Sequence, residues 1–113
     1  MTSLILKIEL NSAGRIGHGK IELLEHIAAF GSISAAARKM DMSYKRAWDL
    51  VEEMNRIFGK PVVAAQTGGR RGGGAQLTQV GLALVSRFRA IERAAEAATE
   101  QHVAALQAEI AAA

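Results

Sequence analysis

Gly31-Ser32-Ile33-Ser34-Ala35-Ala36-Ala37-Arg38-Lys39-Met40-Asp41-Met42-Ser43-Tyr44-Lys45-Arg46 reads as the end of one helix, a short second helix, a tight turn and the start of a third. Gly31 suits the position just past a helix C-terminus, where a left-handed backbone is needed, and Ser34 is placed to cap the exposed N–H groups of a helix beginning at Ala35. Three successive alanines keep that helix narrow, so a neighbour can cross it closely after a turn of three or four residues. Met40-Asp41-Met42 supplies the turn and Ser43 the cap of the next helix.

The next helix, Tyr44 to about Ile57, carries Ala47, Val51, Met54 and Phe58 at spacings of four, three and four, which marks one buried stripe. Trp48 stands beside that stripe and is expected in the core, which leaves Tyr44 as the aromatic residue free for contact. The charges are uneven: Lys45 and Arg46 occupy the first turn, and Asp49, Glu52 and Glu53 follow. Cations at a helix N-terminus oppose the macrodipole, so helix stability does not account for them. Insertion of that end into the major groove of a duplex does, with Ser43, Tyr44, Lys45 and Arg46 at the DNA and the acids held back from it.

Pro61-Val62-Val63-Ala64 and Ala75-Gln76-Leu77 are short strand candidates separated by Thr67-Gly68-Gly69-Arg70-Arg71-Gly72-Gly73-Gly74, which predicts a long hairpin. After a helix pair of this kind, such a hairpin is a wing. Its glycines allow close approach of the backbone to a phosphate, and paired arginines suit a narrow minor groove. A nucleotide-binding loop is excluded by spacing: no Lys-Ser or Lys-Thr follows the last glycine, and no helix opens as the dinucleotide fingerprint requires.

At the N-terminus, Leu4, Leu6, Ile8 and Leu10 alternate with Lys7 and Glu9 and predict a strand, followed by a turn at Asn11 to Gly14 and a helix from about Gly17 to Phe30. From Thr78, the expected cap, to about Glu109, Leu84, Phe88, Ile91, Ala95 and Ala98 repeat at helical spacing, extended by Val103, Leu106 and Ile110. A helix of about thirty residues spans about 45 Å, more than a small body can cover. Its uncovered apolar side predicts pairing with a second copy about a two-fold axis.

The chain has 113 residues, enough for one core. Its net charge is +3, but from Ser34 to Gly72 eight basic residues face four acidic ones, so positive charge concentrates on the helix pair and the wing. There are no cysteines, hence no disulfide or thiolate metal site, and no apolar run of membrane-spanning length; a cytoplasmic protein is expected. His18, His26 and His102 lack the spacing of a closed metal site, and no nucleophile-elbow motif is present, so neither a metal, a cofactor nor catalysis is expected.

Gly31-Ser32-Ile33-Ser34, Ser43-Tyr44-Lys45 with Ala47-Trp48-Asp49, Glu53-Met54-Asn55, and the wing Thr67-Gly68-Gly69 to Gly72-Gly73-Gly74 with Leu77-Thr78 and Gly81 together resemble the DNA-binding domain of the ModE family of molybdate-responsive transcription regulators. More distantly they resemble the N-terminal domain of LysR-type regulators. The resemblance covers most of the chain and implies a dimeric winged-helix protein that controls transcription by occupying a roughly palindromic operator. Full-length members of the family add C-terminal molybdate-binding modules; these 113 residues hold none, so molybdate is not expected to bind them, and any molybdenum-related signal is expected through a separate effector-sensing protein.

The fold expected is therefore mainly α with a small β component: a winged helix-turn-helix with an N-terminal strand, a hairpin wing and a long C-terminal dimerisation helix, divided as residues 1–77 and 78–113. DNA contact falls to Ser34, Ser43, Tyr44, Lys45, Arg46, Thr67, Gly68, Gly69, Arg70, Arg71 and Gly72, and dimerisation to Leu84, Phe88, Ile91, Ala95 and Ala98. The partners expected are double-stranded DNA and a second copy, with no membrane. The alternative from another class is a helix-mediated interaction module that keeps the fold and binds a separate regulator in place of DNA.

Overall fold

The structure, a computed structural model, describes residues 4–10, 12–66 and 74–112. Strand β1 (Lys7–Leu10) pairs antiparallel with β2 (Gly14–Gly17), and helices α1 (His18–Phe30), α2 (Ile33–Lys39) and α3 (Tyr44–Phe58) follow. The hairpin β3 (Val63–Gln66) and β4 (Gly74–Leu77) leads into α4 (Gln79–Ala112). This is a winged helix-turn-helix with a long C-terminal helix.

The N-terminal strand is half of a hairpin, which corrects the single strand expected from its alternation. Lys7 stands opposite Gly17 and Glu9 opposite Arg15, and the Ala13 N–H donates to the Leu10 carbonyl at 3.0 Å to close the turn. Gly14 has φ +147°, and a Cβ there would stand 2.7 Å from the Ile57 side chain. Glycine thus lets the hairpin lie against the far end of α3.

The core forms where the three helices, the wing and α4 meet. Helix α1 contributes Ile21, Leu23, Leu24 and Ile27, α2 contributes Ala36 and Ala37, α3 contributes Ala47, Val51 and Met54, and Val62, Ala75 and Phe88 close it. The cap of α2 is Ser32, whose hydroxyl accepts from the Ala35 N–H at 3.0 Å, and not Ser34, which lies inside the helix. Either serine can cap; the helix starts two residues earlier because Ile33 then packs against the core. Asp41 takes the left-handed conformation at φ 54°, and the Met42 N–H returns to the Ala37 carbonyl, which makes the turn between α2 and α3 tight.

Polar side chains fix the root of the wing. The Asn55 side-chain oxygen Oδ1 accepts from the Val62 N–H at 2.8 Å, the Thr78 hydroxyl donates to the Pro61 carbonyl at 2.7 Å and accepts from the Gly81 N–H, and the Ala75 N–H donates to the Gly31 carbonyl at 2.8 Å. A Cβ at Gly81 would overlap the Val62 carbonyl oxygen, so this glycine sets how closely α4 approaches the wing.

Arg89 fastens α4 to α1. It bonds both Glu25 oxygens, at 2.6 and 3.1 Å, and Glu92 at 2.6 Å, and these bonds hold the Glu25 carboxyl below its usual range. With 34 residues α4 is about 51 Å long. After Phe88 no described residue of it is fully buried.

Candidate nucleic-acid interface

The Ser43 hydroxyl accepts from the Arg46 N–H at 3.0 Å and so fixes the first turn of α3. Tyr44, Lys45 and Arg46 all project to solvent from that turn. Lys45 pairs with Asp49 at 3.1 Å, one turn along, and Glu53 is held by Lys20 at 2.8 Å. The Lys20 hydrogen bond also keeps the Glu53 carboxyl below its usual range. Two of the three acids of α3 are therefore compensated by cations, while Arg46 makes no ion pair among the described residues.

Trp48 is 44% exposed, which corrects its expected place in the core. The buried stripe runs through Ala47, Val51 and Met54, and a step of one residue, about 100° around the helix, carries the indole off it. Trp48 instead stands one turn after Tyr44, itself 56% exposed. Both line an open groove between α3, the start of α2 and the wing, whose walls include Ser32, Ser34 and Val63. Ser34 accepts from the Arg38 guanidinium at 3.0 Å and is exposed there. Trp48 was the residue the sequence concealed; its spacing of four from Tyr44 was the signal.

Thr67, Gly68, Gly69, Arg70, Arg71 and Gly72 lie outside the described residues; the paired ends of the wing, Gln66 and Gly74, lie within them. Of the residues expected in dimerisation, Phe88 is 2% exposed and belongs to the core of its own chain, so it is not available for pairing. Leu84 also packs partly on that core. Ile91 and Ala98 are exposed, Ala95 is half-buried, and farther along Leu106 and Ile110 are exposed at 67% and 78%. Among the described residues no helix is long and apolar enough to cross a membrane.

Residues 18–82 match the bacterial regulatory helix-turn-helix protein family, lysR type. The chain is 46% identical over 93 residues to the molybdenum-pterin-binding protein MopA of Rhodobacter capsulatus, covering 80% of this chain and 35% of that protein. To the transcriptional regulator ModE of Haemophilus influenzae it is 39% identical over 95 residues, 84% of this chain and 37% of the relative. To the DNA-binding transcriptional dual regulator ModE of Escherichia coli it is 46% identical over 69 residues, 61% and 26% respectively. The chain thus spans between about a quarter and somewhat over a third of these relatives. Among solved structures, the CbnR_DBD–DNA complex superposes with a TM-score of 0.60 at 20% identity, covering 78% of this chain and 95% of that one, a likeness of fold.

Proposed function

The chain belongs to the lysR family of bacterial regulatory helix-turn-helix proteins, and from that premise we propose that it reads duplex DNA as a ModE-like transcription regulator. The observation that carries this is the first turn of α3: Tyr44, Lys45 and Arg46 are exposed together there, with Trp48 behind them and the wing at their side. An α-helix end of this size fits the major groove, where arginine and lysine address guanine edges or phosphates. Ser34 and Ser43 supply hydroxyls for phosphates, and the wing segment Thr67 to Gly72 brings two further arginines.

Residues 1–77 form the reading unit in this proposal, and α4 joins two copies through Ile91, Ala95 and Ala98, so that the operator is an inverted repeat. Neither catalysis nor a cofactor belongs to it, and a DNA-binding role places the protein in the cytoplasm. The alternative, an interaction module without DNA binding, is not favoured, since the relative from Escherichia coli is named as a DNA-binding transcriptional dual regulator.

Recovery of bound duplexes from a random pool supplies the operator for the test. Lys45→Ala with Arg46→Ala should abolish preference for that operator in a folded protein, since one bidentate base contact contributes about 1–3 kcal/mol of discrimination. Equal operator affinity in the double variant would refute the assignment.

A further inference from the structure

On the side of α3 away from the wing lies a second open groove, of about 530 Å³, lined by Lys7, Arg15, Lys20, Arg46 and Glu53 around the glycines of the first hairpin. Helix α3 divides the two grooves by its own periodicity. Arg46, Leu50 and Glu53 face this one, and Tyr44, Trp48, Val51 and Asn55 face the other.

Four cations and one acid line the groove, and the acid is answered, because Lys20 bonds Glu53 at 2.8 Å. Lys7, Arg15 and Arg46 make no ion pair within 4.0 Å among the described residues. The fold does not need cations there: Lys7 and Arg15 are exposed on a two-stranded hairpin, and with Arg46 they gather positive charge around one groove. The hairpin is held in place as well. Lys20 donates to the Arg15 carbonyl at 2.6 Å while it bonds Glu53 on α3, so one side chain ties β2, α1 and α3 together. The wall at Gly19 is low, for a Cβ added there would meet nothing within 4 Å.

We propose that the β1–β2 hairpin is a second wing: Lys7 and Arg15, together with Arg46, grip phosphodiester oxygens of the DNA backbone on the flank of the reading helix opposite the β3–β4 hairpin. The assignment rests on α3 reading the major groove, and it adds a backbone clamp on the far bank of that groove. Arg46 is shared between the two roles, since it belongs to the first turn of α3 and to the lining of this groove. The occupant is a duplex because the open trough runs along α3 from Arg46, in the turn that enters the DNA, to Lys7 and Arg15 on the hairpin, and phosphate contacts along that flank position the protein without reading sequence.

The test measures binding of the full chain to two duplexes, one recovered by the wild-type protein from a random pool and one of scrambled sequence, over a range of salt concentrations. Lys7→Ala with Arg15→Ala should weaken both duplexes by the same factor, keep their affinity ratio, and reduce the steepness of log affinity against log salt by about 2 per protomer. Arg93→Ala, on α4 and outside the groove, should leave the slope unchanged. Circular dichroism checks folding, and Lys7→Gln with Arg15→Gln repeats the measurement if the alanine pair is unfolded. A folded variant with the full wild-type slope, or one that loses only sequence preference, overturns the second wing while the reading helix stands. A wild-type protein that retains no duplex at all overturns the DNA reading itself.

Discussion

Trp48 is the residue whose placement changes the picture of the interface most. Sequence spacing puts it next to the buried stripe, and the structure turns it outward beside Tyr44, where two aromatic faces border the groove that the wing closes. Trp48→Ala should therefore cost well under the about 3–5 kcal/mol of a core tryptophan and should weaken duplex binding. Thermal melts and binding isotherms on the same variant decide it: a core-sized loss of stability with unchanged affinity would return Trp48 to packing. The side chains of the first turn were legible because a cap, two cations and an aromatic residue leave few other uses for a helix end. The indole was not legible, because one step around a helix separates buried from exposed and periodicity locates a stripe only to about that width.

Helices α2 and α3, their turn and the strands of the wing follow from local chemistry that the sequence displays: Gly31, Ser43 and the alanine run, with the glycines after Gln66. Strand β2 does not, since Gly14-Arg15-Ile16-Gly17 has no alternation to mark it and exists through pairing with β1 and contact with α3. The repeat along α4 shows another limit of pattern. Phe88 and Ile91 share one periodic run, yet the first fills the core and the second faces solvent, because one apolar side can serve an internal and an external partner. The join between α1 and α4 has a pH signature. Arg89 holds the Glu25 carboxyl below its ordinary value of 4.5, so the pair stabilises the fold above that value and its contribution is lost as pH falls through the depressed one. Both side chains are partly exposed, so the effect should stay within about 1 kcal/mol. Urea denaturation at pH 7 and pH 3 should show Glu25→Gln less stable than wild type at the first and closing on it at the second; a constant gap would remove the ion pair as its cause.

The whole molecule measures 60 × 28 × 20 Å, and α4 gives it that length. Beyond Phe88 that helix carries Ile91, Ala98, Leu106 and Ile110 in the open, the surface on which a second copy is proposed to pair. Ile91→Glu with Ala98→Glu should yield a protein that sediments as a monomer, keeps its helical spectrum and binds single half-sites weakly. If it stays dimeric, the pairing surface lies elsewhere, and the first hairpin becomes the next place to look. The Arg89 join also has a mechanical meaning. Among the described residues it makes the last hydrogen bonds from α4 to the rest of the chain, so it acts as a fulcrum with about 35 Å of helix beyond it. A tilt of about 10° there is magnified to about 6 Å at the tip. In a joined pair the gearing runs backwards as well: a displacement of several ångströms applied to the tips reaches the reading heads as a small rotation, fine enough to bring two recognition helices into or out of step with successive major grooves.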